Sequence, residues 1–127
     1  MQTILRDERV RILRFDRGEE LITSLQSFCE KEEITAGTLS AIGAAEHLVL
    51  SWYDVSEKKY TDQERSEQLE IASLSGNISS FKGKPIVHVH GSRSRSAQAR
   101  SGRDPRRCSF SVSSVLARYG LLRVAEP

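Results

Sequence analysis

Hydrophobic positions along this chain recur first with a period of two, then with a helical period, then again with a period of two. Val10–Phe15 (VRILRF) is rich in β-branched and aromatic residues, is bounded by Asp16-Arg17-Gly18, and predicts a strand. Leu21, Ile22, Leu25, Phe28 and Cys29 then fall at i, i+1, i+4, i+7 and i+8, one stripe of an amphipathic helix. The pattern puts Glu19 and Glu20 in its first turn, where the helix dipole favours acids. Asp16 is the expected N-cap and Glu19 its capping-box partner. The charged run 30–33 closes the helix on a solvated face. Residues 34–42 predict a second extended segment, interrupted by Gly37 and closed by Gly43, with small residues that suggest close backbone packing or a bend.

Alternation continues beyond it. Residues 47–53 predict a strand with Leu48, Leu50 and Trp52 on one face. Residues 60–68 are polar and read as an edge strand or a loop. Residues 69–74 predict another strand, with Leu69 and Ile71 opposite Leu74, followed by a turn or bulge at Gly76-Asn77. Phe81-Lys82-Gly83-Lys84-Pro85 reads as a hairpin connection into 86–90. One helix among several sequential strands implies an α+β domain, with the helix packed on a mostly antiparallel sheet.

In the strand 86–90, His88 and His90 share a face with Ile86, while Val87 and Val89 point the other way. Two imidazoles side by side can supply two ligands to a zinc-like ion, which normally takes three or four protein donors. The plainer reading is a polar pocket or an exposed face that carries histidine.

From Ser92 the strand pattern stops. SRSRSAQARSGRDPRRCS alternates arginine with serine and has no hydrophobic period, so it reads as disordered or as a basic segment that attracts nucleic acid. Only Phe110, Val112, Val115 and Leu116 restore a weak pattern, enough for one short strand or helix. Charge changes at the same point. Residues 1–90 hold 11 Lys and Arg against 15 Asp and Glu, whereas residues 91–127 hold 8 Arg against 2 acids. The expected organisation is therefore a body over 1–91 and an atypical, irregular tail over 92–127.

Several chemistries are excluded or left unsupported. There is no nucleophile elbow, P-loop, dinucleotide fingerprint or C-x-x-C pair, and no catalytic residue is assigned. Ser101-Gly102-Arg103-Asp104-Pro105 departs from a minor-groove AT-hook at Ser101 and Asp104. Arg9 and Arg11 are expected on a solvated or subunit-rim face of the first strand, and Glu46 and Glu70 as surface or interface carboxylates. Cys29 and Cys108 make no disulfide framework, and Cys29 is expected in the core. No apolar stretch reaches the roughly 20 residues that span a bilayer, and the N-terminus has no secretory core, so a cytoplasmic protein is expected.

Residues 9–91 resemble the PPC (plants and prokaryotes conserved) domain family. RILRFDRGEELITSLQSFCEKEEITAG is similar to the family's opening strand, acidic turn and helix. Residues 41–44 (AIGA) and the LSWYD run at 50–54 follow. LEIASLSGNISSFKGKPIVHVHG is the most specific part, with its S-L-x-G-N-I, G-K-P and H-x-H. The resemblance implies a PPC-like fold, a homotrimer, and a DNA-binding or regulatory role. It also implies, for some members, a metal held by the H-x-H pair and a third histidine from a downstream G-G-H. Here no histidine follows His90, and only His47 remains as a substitute. The metal expectation is thus confined to His88 and His90, and the alternative function is a metal-dependent enzyme or small-molecule-binding protein that uses this pair. The abrupt change after Gly91 also fits a shifted reading frame, and hence a non-functional copy; the alternative is a divergent tail.

Overall fold

The computed structural model describes residues 1–95 and 110–126, with side-chain environments for 1–92 and 120–126. Seven strands and one helix follow in the order β1 (Gln2–Arg6), β2 (Val10–Phe15), α1 (Leu21–Lys31), β3 (Gly37–Asp54), β4 (Lys59–Arg65), β5 (Leu69–Phe81), β6 (Lys84–Arg95) and β7 (Phe110–Ala125). All pairings are antiparallel, and the sheet runs β1-β2-β7-β6-β5-β3-β4. A further pairing of β7 with β3 folds the sheet back on itself. This is the α+β architecture expected, with one amphipathic helix on a mostly antiparallel sheet. Among the described residues no helix is long and apolar enough to cross a membrane.

The stripe Leu21, Ile22, Leu25, Phe28 and Cys29 is the buried side of α1. It lies against β6 and β7. Burial pushes the Cys29 thiol up to about 11, and the negative charge of Glu126 adds to the effect. The helix begins later than its acidic turn suggests. Glu20 is the N-cap, its carboxylate accepting from the Thr23 N–H at 2.6 Å, and no acid sits in the first turn. Asp16 and Glu19 form a turn of their own upstream, where the Asp16 N–H donates to the Glu19 carboxylate at 2.8 Å. At the other end Ile34 N–H reaches the Cys29 carbonyl at 2.9 Å and Glu33 takes φ 57°. The helix thus stops in a Schellman-type turn built on glutamate rather than glycine.

Three strands run through positions where breaks were expected. β3 is one strand of 18 residues, with its register shifting between Ala41 and Gly43. Leu69 and Leu74 are both buried although five positions apart, because the pairing of β5 with β6 slips between Ile71 and Ser73. A bulge changes which face the following residues use, and a pure alternation misses it. Gly76 does not turn the chain; it faces Val89 within the ladder. A Cβ placed there would stand 2.1 Å from the His88 carbonyl oxygen, so β5 presses on β6 where only glycine fits.

The sheet also continues past Gly91. β6 extends to Arg95, and 110–125 form β7, with β2 on one side of residues 120–125 and β3 on the other. Leu122 and Val124 are fully buried in the core with Leu13, Phe15, Leu39 and Val89. The end of the strand pattern at Gly91 is therefore not the end of the sheet. β7 leaves only a weak trace in the sequence because its hydrophobic positions are diluted by serine and arginine. Residues 96–109, which carry most of the arginine–serine run, lie outside the described residues.

Arg11 departs from the solvated position expected of it. It is 9% exposed, on the inward side with Leu13 and Phe15. Its guanidinium donates to the Asp7 carbonyl and pairs with the Glu126 carboxylate at 3.3 Å. Those partners, one from each end of the chain, let a charge sit at the rim of the core.

Two outcomes follow for stability. Leu122→Ala is expected to destabilise the protein by about 2–5 kcal/mol, because it opens a cavity at a strand bonded on both sides. A urea midpoint unchanged from the parent would show that β7 is not part of the core. Gly76→Ala is expected to cost about 1–3 kcal/mol through overpacking against the β6 backbone. Equal midpoints for Gly76→Ala and an exposed control such as Ser79→Ala would contradict that close approach.

Candidate functional site

The β5–β6 hairpin places the histidine pair. Lys82 and Gly83 take φ 51° and 77°, both positive, as a two-residue type I′ turn requires. That turn sets Phe81 opposite Lys84, and the register then puts Asn77 opposite His88 and Ser75 opposite His90. Neighbouring β3 puts Thr38 opposite Asn77 and Ser40 opposite Ser75. Thr38, Ser40, Ser75, Asn77, Ser79, His88 and His90 are all exposed, while Val89 is buried beneath them. The period-two reading of the pair is the arrangement found, with Ile86 on the same outer side.

His88 and His90 meet at their ring tips. Their Nε2 atoms are 2.8 Å apart, with ring centroids at 4.8 Å and planes inclined by 51°. One neutral ring can donate to the other in this arrangement. Imidazole nitrogens are also donors that a zinc-like ion takes, and two on one strand face can supply two of its three or four protein ligands. Among the described residues, no third His, Cys, Asp or Glu completes a cluster with them.

His47 does not complete it. It stands on β3 with its Nδ1 3.1 Å from the Ser66 hydroxyl and its Nε2 3.6 Å from the Glu64 carboxylate. Glu46 pairs with Arg17 at 3.1 Å, as a surface carboxylate would. Around the turn joining β3 to β4, Asp54 accepts from the Ser56 hydroxyl and from the Ser56 and Glu57 N–H groups. These bonds hold its carboxyl below the usual range, the Ser56 hydroxyl contributing most. This is turn chemistry rather than catalysis.

The same outer face carries apolar side chains that the sequence pattern does not single out. Ile42 is paired with Leu121 across β3 and β7, and both are exposed, at 61% and 48%. Their exposure depends on the β3–β7 pairing, which local alternation cannot reveal.

Comparison with known proteins gives consistent answers. The model of the Plants and Prokaryotes Conserved (PCC) domain matches residues 3–104. No curated protein matches the chain. Among solved structures, a candidate DNA-binding protein from Bacteroides thetaiotaomicron is 27% identical, with TM-score 0.84, over 96% of this chain and 81% of its own. A metal-containing protein from Archaeoglobus fulgidus is 30% identical, with TM-score 0.79, over 98% and 84%. A plant- and prokaryote-conserved (PPC) protein from Pyrococcus horikoshii is 26% identical, with TM-score 0.77, over 99% and 84%. With the family model matching residues 3–104 and the fold shared with these solved structures, the chain belongs to the Plants and Prokaryotes Conserved domain family.

Proposed function

We propose that this chain is a homo-oligomeric PPC module that binds DNA in a regulatory role, its phosphate contacts made chiefly by arginines beyond the acidic body. The charge division carries this reading: residues 1–90 are net acidic, while 91–127 hold 8 Arg and 2 acids. Phosphate binding is driven by cations that displace condensed counterions, and only the second part has the cations in excess. The similarity to the Bacteroides candidate DNA-binding protein supports it. The exposed Ile42–Leu121 pair supports a contact between copies, since it would bury apolar surface otherwise left in water.

Truncation at Gly91 is not a usable test, because it removes Leu122 and Val124 from the core. Replacing Arg93, Arg95, Arg100, Arg103, Arg106 and Arg107 with Gln keeps the chain length. Binding to a duplex should then weaken, and its logarithmic salt dependence should flatten by roughly 0.9 for each phosphate no longer neutralised. An unchanged slope in the substituted protein would remove the arginines from the interface.

A second reading is favoured by the histidine geometry. In it, His88 and His90 hold a divalent transition metal such as zinc, supplying two imidazole ligands on the outer face of β6. The adjacent imidazoles on one exposed face and the similarity to the metal-containing Archaeoglobus protein support it. Such an ion would provide a fixed positive charge and Lewis acidity at the surface. Equilibrium dialysis of the purified protein against zinc should show binding that the paired His88→Ala and His90→Ala substitutions abolish. Equal zinc content in parent and double variant would sink this reading.

A further inference from the structure

The β5–β6 hairpin reaches beyond the sheet that anchors it. The pairing of β5 with β3 ends at Ile78, and the described pairing of β6 with β7 covers only His90 and Gly91. Between them, Ser79 faces Ile86, Ser80 faces Pro85 and Phe81 faces Lys84. Among the described residues these positions have no other strand beside them. Ser79 to Lys84 and Ile86 are exposed, and Pro85 is half-buried. The segment is a short two-stranded arm, held in shape by its type I′ turn.

Its chemistry differs from the body that carries it. No Asp or Glu occurs from Ile71 to His90, whereas Lys82 lies in the turn, Lys84 follows it, and His88 and His90 come after. Phe81 is 61% exposed, with the Lys82 ammonium 5.3 Å from its ring centroid. Pro85 has no N–H to offer, and Lys84 beside it blunts the open edge, which disfavours pairing with another strand. The surface is therefore built to be approached by its side chains.

We propose that this arm is the body's own contact with duplex DNA. A two-stranded antiparallel ribbon is of a size the major groove admits. Lys82 and Lys84 would neutralise phosphates at the groove's edge, and Phe81 would make apolar contact with base edges such as the thymine methyl. Ser79, Asn77 and Ser75 continue the outward row with groups that donate or accept hydrogen bonds. The complementarity is local: on a net acidic body, the run from Ile71 to His90 presents Lys82 and Lys84 with no carboxylate within it. The inference rests on the DNA-binding reading and adds to it a second, specific surface.

The test uses the full chain. Affinity for a duplex is measured by fluorescence anisotropy across a salt series for the parent, for Lys82→Gln with Lys84→Gln, for Phe81→Ala, and for the variant with six arginines replaced. Oligomeric mass is measured alongside by light scattering. The double lysine variant is expected to bind more weakly, with a salt slope shallower by roughly 2. Phe81→Ala is expected to weaken binding with the slope unchanged. If both arm substitutions leave binding as in the parent while the arginine substitutions weaken it, the arm is overturned and the DNA-binding reading stands. If the parent itself binds no DNA at low salt, both fall. If the arm substitutions change the oligomeric mass but not DNA affinity, the arm is a contact between copies and the inference is overturned.

Discussion

Residues 120–125 of β7 are hydrogen-bonded to β2 on one side and to β3 on the other, and the rest of the fold depends on that double pairing. Leu122 faces Leu13 and Ala41; Val124 faces Arg11 and Leu39. Strand positions from three distant parts of the chain thus converge under α1. Closing so long a loop costs conformational entropy, and the cost grows only slowly with loop length. Burying Leu13, Leu39, Leu122 and Val124 offsets it, at about 25 cal/mol per Å² of apolar surface. Without β7, the facing edges of β2 and β3 would both lie open, with unpaired backbone groups on each.

The two chain ends are tied at the same place. The Glu126 N–H donates to the Arg9 carbonyl at 2.8 Å, and its carboxylate meets the buried Arg11 guanidinium. Cys29 on α1 senses that carboxylate, since Glu126 contributes to holding its proton. A nearby pair, Arg6 with Glu32 at 2.7 Å, links β1 to the end of the helix. Buried ion pairs seldom add much net stability, because desolvation consumes most of the Coulomb gain. For Arg11 and Glu126 the effect is positional: the buried guanidinium is tolerated because a carboxylate from the far end of the chain meets it, which fixes how the ends meet.

Where local chemistry decides the structure, the sequence is legible. The stripe from Leu21 to Cys29 is the buried face of α1, and Lys82-Gly83 is a hairpin turn because glycine and a tolerant lysine accept positive φ there. His88 and His90 share a face because a strand alternates. Where distant pairing decides, legibility fails. The bulge at 41–43 joins what looked like two strands, and the slip at 71–73 buries both Leu69 and Leu74. β1, exposed throughout, is a strand because β2 offers it an edge. Arg11 turns inward because its partner, Glu126, comes from the far end of the chain. The closeness of the two Nε2 atoms depends on rotamers, and the exposure of Ile42 on β7 beside it; neither has a signature in spacing.

The two functional readings are physically linked, because the histidine pair and the arm occupy one hairpin. A divalent ion at His88 and His90 would add positive charge on the outer side of β6, a few residues from Lys84. There is no carboxylate between Ile71 and His90 to cancel it. Raising the local potential favours phosphate nearby, with a strength that falls off over a Debye length of about 8–10 Å. Linkage then requires the converse: DNA held by the arm would raise the affinity of the pair for its ion by the same factor. If both readings hold, the run from Ile71 to His90, which has no carboxylate, would let the two ligands favour rather than oppose one another.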